Sequence, residues 1–207
     1  MTPTDVRSIL DHHDPAQVEH YERTFYTAYA GLADNRLVRL IWDFDHDRRL
    51  LRTRVPYRDQ IIYQWAAAGA AMPGCYLAVN IDPRGRFQSA RFGFAPEPLD
   101  LDHCCELLNL MTPAPLPEAA GLFRRLLDEF VAPDLRSRGF AVAYATCTRR
   151  LVQPYLRLGA RRVHHVSLHG EERHLIRLSL DRPAPGPQTS SSSTRPDGVP
   201  AARHIMR

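Results

Sequence analysis

Apolar side chains recur every three to four residues across residues 15–32, where Val18, Tyr21, Phe25, Tyr29 and Leu32 share one side behind Asp14 and Pro15. A side-chain acceptor followed by a first-turn proline marks a helix start, so an amphipathic helix is predicted there. The segment LVRLIWDFD reads as strand or helix, and residues 57–65 have the look of a helix. After Pro73-Gly74 the pattern shortens: CYLAVNID (75–82) and RFQSARFGF (86–94), joined through a Pro-Arg-Gly-Arg turn, predict an antiparallel hairpin. HCCELLNLM (103–111) predicts a buried strand ending at Thr112-Pro113. Residues 117–135 then place Leu122, Leu126, Leu127, Phe130 and Val131 on one helical face with Pro117 at the start, and Gly139 closes that region. FAVAYATCT (140–148) carries no charge, as a strand covered on both faces would. RRLVQPYLRLG (149–159) predicts a short helix stopped by glycine, and RRVHHVSL with HLIRLSL a last hairpin around residues 169–172. This order predicts an α/β domain with a mixed, mostly antiparallel sheet flanked by helices.

From Arg182 onward the chain is rich in Pro and Ser and poor in large apolar residues, so burial cannot repay the entropy of ordering it. The expected division is one domain over residues 1–181 and a tail over 182–207. Most of the formal charge of +4 lies in that tail, which holds four Arg against one acid, while the remainder holds 23 Arg against 22 acids. A nucleic-acid partner calls for basic residues gathered on a folded face, so nucleic acid is set aside. With no window of eighteen apolar residues and an acidic, polar start, the sequence predicts a cytoplasmic enzyme or binding protein with no membrane partner. Every basic residue other than His is Arg, which with the Ala and Pro usage points to a high-GC bacterial genome.

Cys75, Cys104, Cys105 and Cys147 lack the spacing of a zinc knuckle or redox pair and are read as reduced, buried thiols. His164, His165, His169 and His174 cluster within eleven residues on the last hairpin, but no carboxylate or Cys pattern completes a metal site, and none is expected.

Read with the segment YLRLGARRV after a strand and a short helix, this layout resembles the GNAT acyltransferase superfamily over roughly residues 15–181. The local match is Tyr155, three residues, then Gly159 and Ala160. The resemblance implies that Tyr155 is a general acid protonating the thiolate that leaves the acyl donor. A helix-face aromatic packed on the sheet is the other reading of Tyr155. The resemblance further implies that the strands at 103–111 and 140–148 splay to admit a pantetheine arm, with donor contacts at Leu110, Met111, Gly121, Cys147, Arg149 and Arg150.

The family's pyrophosphate loop falls on residues 116–121, where only Gly121 matches. Pro117 removes an N–H, Ala119 replaces a glycine, and Glu118 brings negative charge to the place a diphosphate would occupy. Such a loop favours an acyl carrier protein over coenzyme A as donor, as in the autoinducer and N-acyl amino acid synthases that the chain resembles more loosely. Loss of catalysis, leaving a module that binds a ligand or partner, also accounts for it. The autoinducer synthases carry a strand Glu followed by Arg; here Glu106 is followed by Asn109 where the Arg would stand. Glu106 in an apolar strand reads either as a base for an amine acceptor or as one half of a buried ion pair with an arginine. His103, by alternation on the other face, is the second-choice base. Arg124, Arg125, Arg136, Arg138, Arg149 and Arg150 either steer an acidic carrier protein or are ordinary solvated charges.

Overall fold

A computed structural model of the chain describes residues 6–66, 73–112 and 123–181. The predicted tail and the donor loop at 116–121, including Gly121, lie outside these residues. Asp14 caps the first helix, α1 (Pro15–Tyr29), its carboxylate accepting from the amides of Ala16 and Gln17. A cap of this kind contributes about 1 kcal/mol. The ambiguous stretch after it resolves into both alternatives, a single turn α2 (Val38–Ile41) and then a strand β2 (Trp42–Asp45) that pairs with β3 (Leu50–Thr53) as a separate hairpin.

The main sheet has seven strands. They are β1 (Val6–Ile9), β4 (Gln60–Ala66), β5 (Cys75–Asn80), β6 (Cys104–Met111), β7 (Val142–Thr148), β8 (Arg161–Leu168) and β9 (Glu171–Ser179). Their spatial order is β1-β4-β5-β6-β7-β9-β8, and every neighbouring pair is antiparallel except β6 with β7. Between strands lie the turn α3 (Pro83–Arg86), the helix α4 over residues 123–137 and the helix α5 (Arg149–Arg157). Helix α4 is π-wound over Leu127–Val131 before its α-helical end Ala132–Ser137, next to Pro133, which has no N–H to give the preceding turn.

Two expectations are corrected. Residues 60–66 form a strand and not a helix, because all seven side chains of β4 are buried and the in–out alternation that marks a half-exposed strand is absent. Residues 86–94 are not the second strand of a hairpin: they form α3's end and a 3₁₀ turn at Gln88–Phe92, and β5 pairs instead with β4 and β6. The last hairpin is as predicted, turning at His169 and Gly170, whose φ values of 51° and 80° are the pair that a two-residue type I′ turn requires.

The sheet separates two cores. One gathers Leu126, Val131 and Leu135 of α4 and Val152 of α5 against Tyr63, Leu77, Cys105 and Ile176. The other gathers Tyr21 and Phe25 of α1 with Trp42 and Leu51 against Tyr76, Leu108 and Tyr144.

Candidate active site

Parallel pairing of β6 with β7 runs from Cys104↔Val142 to Leu107↔Ala145 and stops there. Residues 108–111 continue beside β5 and residues 146–148 beside β9, so the two strands part and leave a gap in the middle of the sheet. A bulge accompanies the parting. Opposite the step Ala78–Val79, β6 carries one extra residue, with Leu107 facing Val79 and Asn109 facing Ala78. The bulge puts Leu108 and Asn109 on the same side: Leu108 packs in the α1 core and the Asn109 amide donates to the Tyr21 hydroxyl at 3.0 Å. Strict alternation along a strand would put Asn109 on the face opposite Leu108.

Three side chains converge on the open end of the gap. From α1, the Tyr29 hydroxyl donates to the backbone carbonyl of Leu110 at 2.6 Å. Burial pushes Tyr29 up to about 12. From β7, Cys147 is buried, and burial pushes its thiol up to about 12, against the pull of nearby Arg173. From α5, Tyr155 is partly buried with its ring edge-on to Phe123 at 6.2 Å. Its hydroxyl has no hydrogen-bond partner among the described residues, and burial, with Cys147 and Tyr29 adding, raises its pKa above the ordinary value. Such a phenol holds its proton at neutral pH. Leu110 is partly buried and Met111 fully buried at the end of β6, while Arg149 and Arg150 are exposed at the start of α5.

Glu106 lies just before the parting, 1% exposed. One carboxylate oxygen accepts from the Ser89 amide (2.8 Å) and hydroxyl (2.5 Å), the other from the Gln88 amide (2.7 Å) and Asn80 side chain (3.2 Å). No arginine pairs with it among the described residues, so the ion-pair reading is replaced by a nest of four neutral donors. Burial raises its pKa and those donors pull it back. The nest latches the 3₁₀ turn at Gln88–Phe92 onto β6. Ser89, Gln88 and Asn80 escaped the sequence reading, as did Tyr29, which stood in the helical stripe as a core aromatic.

His103 is exposed ahead of β6, at the end remote from the gap. The arginines considered for carrier docking are mostly engaged. Arg124 pairs with Asp128 and Arg138 with Asp134, Arg136 donates to the Leu180 carbonyl at 2.6 Å, and Arg125 lies over Trp65. Arg149 stands 3.8 Å from Glu172. All four cysteines are buried and free, and no group of residues that could hold a metal ion occurs among the described residues.

No protein-family model and no curated protein matches the chain. Solved structures do. The AHL synthase LasI superposes with a TM-score of 0.63 at 10% identity, over 86% of this chain and 91% of that one. A CoA-dependent acyl-homoserine lactone synthase, BjaI, bound to MTA, gives 0.60 at 12% identity over 86% and 85%. An acetyltransferase described as of the GNAT family, from Desulfovibrio desulfuricans, gives 0.50 at 15% identity over 86% and 99%. The chain therefore has a divergent GNAT-like fold, related to that of the autoinducer synthases.

Proposed function

We propose that the chain transfers an acyl group from a pantetheine thioester to an amine acceptor, with the donor arm lying in the gap between β6 and β7. The observation that carries this reading is the gap. Beyond Leu107 and Ala145 two extended backbone edges face each other without strand pairing, the Leu110 carbonyl being held by Tyr29, and a chain bearing amide groups complements the remaining groups as an added strand would. Leu110 and Met111 form one wall, Cys147 the other, and Arg149 and Arg150 stand at the mouth. The amine nitrogen attacks the thioester carbon. As the tetrahedral intermediate collapses, the C–S bond breaks and the Tyr155 hydroxyl gives its proton to the sulfur. The acceptor nitrogen's proton goes to a base, for which Glu106 is the candidate, since His103 lies at the end of β6 remote from the gap.

Glu106 also favours a second reading, a catalytically silent module. A carboxylate has about four lone-pair positions, and the four donors fill them, so Glu106 takes an amine proton only if the latch at Ser89 or Gln88 lets go. The donor of choice is an acylated carrier protein, since Pro117, Glu118 and Ala119 make a poor diphosphate cradle. BjaI, CoA-dependent by name, makes the matching acyl-CoA the necessary comparison.

Calorimetry with acyl carrier protein and acyl-CoA is the first measurement, followed by single turnovers over a panel of amines. Tyr155→Phe is expected to slow transfer by about 10² or more with donor Kd unchanged. Donor binding without turnover for every amine supports the silent module; no binding of either donor overturns the transfer reading. Tighter binding of acyl-CoA than of the carrier protein overturns the donor preference alone.

A further inference from the structure

A second concavity, of about 460 Å³, opens beside the start of β6, on the α1 side and away from the gap. Its floor is apolar, with Val55 and Phe87 both buried, and its walls carry Arg54, Arg84, Arg86 and Arg91 with no acidic side chain among the lining residues. Three of these arginines have a carboxylate outside the cavity: Arg54 has Asp43 at 2.7 Å, Arg84 has Asp102, and Arg86 has Asp59 at 3.8 Å. Arg91 has neither ion pair nor hydrogen bond among the described residues. Gln88 supplies an independent observation. Its side chain lines the cavity at 7% exposure, and its Oε1 is buried without a hydrogen-bond partner. A buried amide oxygen left in this state costs about 1–3 kcal/mol, and a turn of the Gln88 side chain toward the cavity lets a ligand N–H or O–H relieve it.

We propose that this cavity binds a small organic oxyanion: a carboxylate or phosphate head on Arg91 and its neighbouring guanidinium groups, an apolar body on Val55 and Phe87, and a hydrogen-bond donor turned to the Gln88 Oε1. Guanidinium groups grip such heads through paired N–H donors, and the surplus cation at Arg91 gives the site its sign. A volume of this size is within the range of pockets that take small organic ligands, about 300–1,000 Å³. The site does not depend on acyl transfer. It is nevertheless tied to the sheet, because the Gln88 whose side chain meets the ligand gives its backbone amide to Glu106 on β6 at 2.7 Å.

The test is calorimetry on the full chain at low ionic strength. The probes are 4-hydroxyphenyl phosphate and 4-hydroxybenzoate, each with a head, a ring and an O–H, then phenyl phosphate without the O–H, and benzylamine as the cationic control. At least one hydroxyl-bearing anion is expected to bind one per chain, with benzylamine silent. Arg91→Glu, at an exposed residue with no ion pair or hydrogen bond among the described residues, is expected to weaken it by tenfold or more at unchanged Tm. In Gln88→Leu the preference for the hydroxyl-bearing phosphate over phenyl phosphate is expected to disappear. Equal binding to Arg91→Glu and wild type, binding of benzylamine as tightly as the anions, or no saturable binding of either hydroxyl-bearing anion overturns the proposal. If Arg91→Glu lowers Tm, Arg91→Ala takes its place with the same criteria.

Discussion

Glu106→Gln is expected to loosen the 3₁₀ turn at Gln88–Phe92 and to lower stability well beyond an ordinary surface change. The amide that replaces the carboxylate has one acceptor oxygen and one NH₂ group, whereas all four neighbours are donors. The Ser89 hydroxyl can rotate and accept, so the least costly placement points the new NH₂ at Ser89. That placement strands the Ser89 backbone N–H. A stranded buried donor costs about 1–3 kcal/mol, and each of the remaining bonds falls from the charge-assisted range of about 1.5–3 kcal/mol to the neutral range of about 0.5–1.5. Against this, the fold no longer buries a charge, a relief of several kcal/mol by order of magnitude. The balance is a loss of about 2–3 kcal/mol, and at roughly 2–4 °C per kcal/mol for a chain of this size Tm drops by about 4–12 °C. Thermal melting followed by circular dichroism reads this directly, and hydrogen exchange should show protection lost first at the amides of Gln88 and Ser89. A Tm within about 2 °C of wild type, with those amides still protected, would refute the latch.

Asp100 accepts two bonds from Arg177 (2.6 and 2.9 Å) and one from Tyr144 (2.5 Å), and Arg177 leads in holding its carboxyl below the usual 3.8. A lowered folded-state pKa stabilises above the unfolded value and loses that contribution as pH falls through the folded value. Asp100→Asn should therefore cost about 2 kcal/mol in urea melts at pH 7, and wild type and variant should converge below pH 3.8; an undiminished difference at pH 3 would sink this reading. Burial pushes the thiols of Cys75 and Cys104 up to about 11 and that of Cys147 up to about 12, and Cys105 is fully buried. A disulfide reagent at pH 8 should find no fast thiol in the native chain and four after denaturation, and one thiol reacting within seconds would contradict it.

Local pattern identified α1, β6, β7, α5 and the last hairpin because each has a cap, a period or a turn that belongs to it alone. It failed where the deciding contact is remote. In β4 every residue is covered, so Ile61 and Trp65, four apart, imitate a helical stripe. At residues 86–94, three phenylalanines and alternating polar residues imitate a strand, and what bends them is a carboxylate some seventeen residues further on that collects two consecutive amides. Tyr155 stood out in the short helix after β7 by its spacing to Gly159, and Glu106 by its charge in an apolar run. The Tyr29 contact with Leu110 spans 81 residues, and the Arg91–Gln88 cavity is assembled from three separate segments, so neither leaves a signal in a short window.

The parting of β6 from β7 has a consequence for selectivity. Backbone edges recognise the spacing of amides along a ligand and are indifferent to what those amides join, so if the donor arm lies in the gap as proposed, the gap is a slot keyed to polyamide geometry. At about 3.3 Å per residue, four residues of β6 and three of β7 give it a length on the order of 10–13 Å. On the proposed reading any slender chain with suitably spaced amides would satisfy the slot, and discrimination would come from its two ends: from Tyr155, Tyr29 and Cys147 where the strands have separated, and from Glu106 and its latched turn where they meet. Changes at those ends should retune what the chain accepts while leaving the slot itself in working order.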